Sequence, residues 1–79
     1  MVQEKQTPLS GREHDVLRWL ALGKSANDIA AILGISVWTV RIHTRNVVGK
    51  LEAENIPHAI TRAFQSGLFR AEEQVHSST

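Results

Sequence analysis

Apolar positions recur along this chain at the helical period. Val16, Leu17 and Leu20 form one set, and Ile29, Ala30, Ile32 and Leu33 a second. Val40, Thr44, Val47 and Leu51 form a third, and Ile56, Ala59, Ile60, Ala63 and Phe64 a fourth. Steps of three and four place each set on one face of a helix of about 3.6 residues per turn. No strand-like alternation of useful length competes with them, and neither Pro8 nor Pro57 falls in the interior of a helix. Four helices are predicted, over about 10–22, 26–33, 37–52 and 56–66. The fold class is all-α, a four-helix bundle.

Local signals fix the ends. Ser10-Gly11-Arg12-Glu13 has the form of a capping box, and Ser25-Ala26-Asn27-Asp28 repeats it with Asp in place of Glu. Ser36 caps the third helix without a reciprocal acid. Asn55 caps the fourth, with Pro57 in its first turn, where a missing amide costs nothing. Gly23, Gly34 and Gly67 are expected as left-handed stops, after which Leu68 and Phe69 fold back on the fourth helix. Glu13 and Asp15 read as surface charges that suit the positive end of the first helix. Gly49 lies inside the third helix, where Gly costs about 1 kcal/mol relative to Ala, and points to a bend or a close backbone approach.

Gly34-Ile35-Ser36 joins the second and third helices so tightly that the pair has the form of a helix-turn-helix, whose second member is the reader. The stretch Ser36–Leu51 carries Arg41, Arg45 and Lys50 and no acid. On a helical wheel Val40, Thr44, Val47 and Leu51 share one arc, with Val48 at its edge, while Trp38, Arg41, Ile42, Arg45 and Asn46 share the other. The first arc suits a core. The second offers the guanidinium forks, amide and apolar surface that meet base edges and phosphates. The expectation is that this helix enters the DNA major groove. Trp38 either stands exposed beside the DNA backbone or packs halfway onto the second helix.

Composition narrows the function. At 79 residues the chain makes one small domain, over 9–69. A polar leader or linker stub (1–8) precedes it, and a polar, disordered tail (70–79) follows. A chain of this size buries only about 60% of its unfolded surface, which leaves no room for a catalytic cavity. There is no Cys, and His14, His43, His58 and His76 lie on different elements without a paired spacing, so neither a metal site nor a cofactor is expected. His43 is expected at the edge of the third helix, packed there and near a phosphate. No nucleophile–base set or glycine-rich phosphate loop can be assembled, so no enzyme is read. No apolar run reaches the roughly 20 residues of a membrane span, and the first residues lack a signal-peptide core, which makes the cytoplasm the expected location. Net charge is only +1, but acids cluster at Glu13 and Asp15, Glu52 and Glu54, and Glu72 and Glu73, leaving 36–51 purely basic.

In order and spacing the chain resembles the C-terminal DNA-binding domain of the LuxR family over about residues 9–69. The resemblance is carried by Leu9-Ser10-Gly11-Arg12-Glu13, Val16-Leu17-Arg18-Trp19, Gly23-Lys24-Ser25, Asp28-Ile29-Ala30 and Leu33-Gly34-Ile35-Ser36. Thr39-Val40-Arg41-Ile42-His43, Asn46, Lys50-Leu51, Asn55, Ala59-Ile60, Ala63 and Gly67-Leu68 complete it. It implies sequence-specific binding of double-stranded DNA to regulate transcription, probing a palindromic site as a weak homodimer and working with RNA polymerase. It implies base contacts from Arg41, Ile42 and Arg45 and phosphate contacts from Lys24, Ser36, Thr39 and Lys50. It implies a dimer contact on the fourth helix, for which Ile56, Ala59 and Ala63 offer close approach while Ile60 and Phe64 serve the core. Trp19 and Asn46 lean toward the quorum-sensing branch, whose upstream domain binds acyl-homoserine lactones; the domain itself is expected to bind no small molecule. Asp28 in place of Glu and Ile56-Pro57 in place of a polar pair depart from the family pattern. Two other readings are a sigma region-four-like promoter-binding domain and an interaction module that heterodimerises with full-length regulators and inhibits them.

Overall fold

The computed structural model describes residues 9–69, so the expectations for the leader and the tail, His76 included, lie outside the described residues. Four helices follow in order: α1 (Gly11–Ala21), α2 (Ala26–Leu33), α3 (Val37–Lys50) and α4 (Ile56–Gln65). Each start is set by its cap. Ser10 Oγ accepts from the Glu13 amide at 3.2 Å while Glu13 Oε1 accepts from the Ser10 amide at 3.0 Å. Ser25 and Asp28 repeat the box at 3.1 and 3.4 Å. Ser36 Oγ accepts from the Thr39 amide, and Asn55 Oδ1 from the His58 amide.

Gly23, Gly34 and Gly67 stop α1, α2 and α4 with positive φ, as expected. The end of α3 departs from expectation. It closes at Lys50 rather than 52, because Glu52 takes the left-handed conformation with φ 56. The Glu52 amide then donates to the Gly49 carbonyl and the Ala53 amide to the Val48 carbonyl, the same closure that the glycines give elsewhere.

Two buried clusters hold the helices. Val16, Ile29, Ala30 and Val40 join α1, α2 and the first half of α3. Leu9, Leu17, Val47, Leu51, Ala59, Ala63 and Phe69 join α1, the second half of α3, α4 and the folded-back C-terminal residues. Val16 and Leu17 are neighbours in sequence, yet each belongs to a different cluster. α1 and α3 therefore run through both, whereas α2 and α4 barely meet. Fully buried Leu17 and Ile29 contribute about 1.5–3 kcal/mol each. Phe64 and Phe69 meet edge-on at 5.2 Å, and His14 adds an edge contact to Phe69 at 5.5 Å.

The dimer expectation for α4 needs correction. Ala59 and Ala63 have no exposed surface and lie inside the second cluster. Their small side chains do allow close approach, but it is α1 and α3 of the same chain that approach. Ile56 keeps accessible surface, and Ile60 and Phe64 only border the cluster.

Gly49 shows no close approach: a Cβ built there meets nothing within 4 Å. Its backbone is helical and its φ is not positive. Gly49→Ala is therefore expected to stabilise the domain by about 0.5–1 kcal/mol, through a less flexible unfolded chain. Thermal unfolding should show the midpoint rising by about 4–8 °C per kcal/mol in a domain this small. A midpoint that stays or falls would mean that this position carries a constraint outside the isolated chain.

Candidate nucleic-acid interface

α3 presents two faces, as its sequence requires. Val40 and Val47 are 0% and 1% exposed and Leu51 is 9% exposed, so its inner face is locked into both clusters. On the outer face Trp38 is 71% and Ile42 38% exposed, and Arg41, Arg45 and Asn46 are exposed as well. Arg41 and Arg45 stand one turn apart, and neither has an ion-pair partner among the described residues. They line an open groove of about 580 Å³ with Trp38, Thr44, Leu20, Ala26 and Ile56.

The first turn of α3 contains no acid, so its positive end is uncompensated. The Ser36 hydroxyl proton is committed there. The hydroxyl accepts from the Thr39 amide and donates to Thr39 Oγ1 at 2.9 Å. That arrangement leaves the proton of the Thr39 hydroxyl as an outward donor. Lys24 is exposed between α1 and the cap of α2, with no side-chain partner among the described residues.

The other end of α3 is held by polar contacts that its own sequence does not announce. Glu13 of α1 is only 5% exposed. Its Oε1 accepts from Lys50 Nζ at 2.7 Å and from the Ser10 amide, and its Oε2 accepts from Asn46 Nδ2 at 3.5 Å. Burial pushes the Glu13 carboxyl up, but the bonds and charge from Lys50, the Ser10 amide and Asn46 outweigh it and hold it below the usual carboxylate range. From the opposite side, Arg62 of α4 donates Nε to the Leu51 carbonyl at 2.7 Å, filling an acceptor that the helix end leaves open.

Residues 7–63 match the model of a family described as bacterial regulatory proteins, luxR family. The chain belongs to the LuxR family. It is 46% identical over 65 residues to the transcriptional activator protein EsaR of Pantoea stewartii subsp. stewartii, covering 82% of this chain and 26% of that protein. It is 45% identical over 56 residues to the transcriptional repressor ThaA of Burkholderia thailandensis, covering 71% and 24%. The solved structure of the transcription factor GerE superposes with a TM-score of 0.75 at 34% identity, covering 78% of this chain and 92% of that one. The chain thus spans about a quarter of the length of the curated relatives it matches. The LuxR family consists of DNA-binding transcription regulators rather than enzymes, and the domain has its GerE-type helix-turn-helix. In family and fold it is thus similar to proteins that regulate transcription.

Within this LuxR-family domain the residues expected to read DNA do not all share one place. Arg41, Ile42 and Arg45 lie together on the outer face of α3, joined by Trp38, which stands exposed rather than packed on α2. Thr39 and Ser36 sit at the start of the same helix. Lys50 carries a contact that its motif position does not announce: its ammonium pairs with buried Glu13, while its side chain stays 42% exposed. Glu13 departs from expectation, being a buried acceptor rather than a solvated capping charge. Arg62 was not marked by any motif. His43 is half-buried at the helix edge, and its Nδ1 is buried without a partner among the described residues. Among those residues no cluster of His, Asp or Glu is placed to hold a metal, and no helix is long and apolar enough to cross a membrane.

Proposed function

We propose that α3 enters the major groove with Arg41, Ile42 and Arg45 at base edges. Thr39, the amides of the first turn of α3 and Lys24 hold the phosphate backbone. One observation carries this reading: two guanidiniums one turn apart, without an ion-pair partner among the described residues, flank exposed apolar side chains on a helix whose opposite face is fixed in two clusters. Arginine forks of this kind pair with guanine, and apolar neighbours meet thymine methyls.

The domain binds a palindromic site as a weak dimer through the outer side of α4, at Ile60 and the exposed Thr61, while Ile56 lines the groove beside Trp38 instead. It serves regulation by RNA polymerase in the bacterial cytoplasm, within the quorum-sensing branch. Trp19 and Asn46 support that branch, and here Trp19 borders the first cluster while Asn46 reaches Glu13.

Selection of duplexes from a random-sequence pool, followed by salt titration, tests the reading. A preferred duplex should bind at least about fivefold more tightly than random DNA, the least that one bidentate base contact gives. The logarithm of affinity should fall against the logarithm of salt by about 0.9 per phosphate contacted. Without DNA, sedimentation should show a monomer at micromolar concentration, because the narrow outer stripe of α4 buries less than the roughly 1,200 Å² of a stable interface. Equal affinity for every duplex would refute the groove-reading role, and a tight dimer without DNA would refute the weak one.

A further inference from the structure

Trp38 belongs to neither buried cluster and is the most exposed large apolar side chain among the described residues. It stands at the second position of α3, on the edge of the open groove that also takes Arg41, Arg45 and Thr44 from α3, Leu20 from α1 and Ile56 from α4. The groove is more apolar than this roll suggests. Thr44 donates its hydroxyl to the Val40 carbonyl at 2.8 Å, so it turns a methyl rather than a free hydroxyl outward. The remaining polar side chains are the two guanidiniums, which have no acidic partner among the described residues.

Such a groove fits an occupant that is anionic around it and apolar at the point of contact. Major-groove DNA has one group of that description: the C5-methyl of thymine, which projects among acceptors that guanidiniums bind and phosphates that they attract. We infer that the groove between Trp38, Arg41, Arg45 and Ile56 is a pyrimidine-methyl subsite, through which the domain distinguishes thymine from bases without a C5-methyl. The inference rests on the groove-reading role of α3 proposed above and adds Trp38 to it as a specificity-determining residue.

The test uses the preferred duplex selected from a random pool, with each thymine replaced in turn by deoxyuridine and then by 5-bromodeoxyuridine. Deoxyuridine removes only the methyl, and bromine restores a group of similar size. At one thymine per half-site, deoxyuridine should weaken binding about 3- to 5-fold, the effect of burying one methyl group, and 5-bromodeoxyuridine should restore it. With Trp38→Ala, the thymine and deoxyuridine duplexes should bind within about twofold of each other, while Trp38→Phe keeps most of the difference. Both variants should melt as the parent does, because the side chain is 71% exposed.

If no thymine responds to loss of its methyl, the subsite is refuted. It is equally refuted if the loss persists undiminished in Trp38→Ala, which would place the methyl elsewhere on α3. If the pool yields no preferred duplex at all, it is the groove-reading role that fails, and the subsite with it.

Discussion

Glu13→Ala should lower the stability of this domain by about 2–3 kcal/mol, below the full cost of opening a buried ion pair because Lys50 can turn to water. The side chain of Lys50 is 42% exposed against 7% for Glu13. The change removes half of a capping box and the acceptor that anchors Asn46 and Lys50 of α3. Against the roughly 0.05–0.15 kcal/mol per residue that folded domains retain, this is a large share. Glu13→Gln should cost about half as much, since the amide oxygen still accepts but carries no charge.

The pH dependence follows from the direction of the shift. The carboxyl is held below its unfolded value, so its ionised form favours the fold. That stability is present above the usual carboxylate range and is lost as pH falls below it, through the lower value held in the fold. Urea unfolding from neutral pH down into the acid range should therefore show the parent approaching Glu13→Gln. A gap between the two that stays constant with pH would contradict the assignment of Glu13 as a charged anchor.

Arg45→Ala should weaken binding to the preferred duplex by about 1–3 kcal/mol and relax the choice of base at one position, with little effect on random DNA. The guanidinium has no partner within the described residues, so its loss should leave stability almost unchanged. Lys50→Ala makes the contrast. It strands the buried Glu13 carboxylate, so it should lower stability by about 1–2 kcal/mol and leave the base preference intact. The pair is read by melting each variant and then titrating it on single-base variants of the duplex. An Arg45→Ala protein that keeps the parental preference would remove Arg45 from the base contacts.

What could be read from the sequence was local. Ser10, Ser25, Ser36 and Asn55 bond to amides three residues on, so the starts of all four helices were visible. The periodicity of 40, 44, 47 and 51 likewise placed the inner and outer faces of α3 correctly. The contacts that hold α3 in place were not visible, because a wheel says which side is inward but not what waits there. Lys50 and Asn46 meet Glu13 across 37 and 33 residues. A basic stretch without acids therefore looked free when one of its cations was already matched. Ala59 and Ala63 failed for a related reason: small side chains permit close packing but do not say whether the neighbour is the same chain or another. The end of α3 was misplaced because its left-handed residue is Glu52, and only glycine announces that conformation in a sequence.

The separation of α2 from α4 has a consequence for how such a domain can diverge. Since the two barely meet, α2 can be re-seated against Val16 and Val40 while Ala59 and Ala63 keep their places against Leu17 and Val47. Substitutions at the two ends should combine additively, as those at distant sites do. The outer surface of α4 can then drift toward new partners without disturbing the turn that aims α3. Such drift must still preserve the bond from Arg62 to the Leu51 carbonyl.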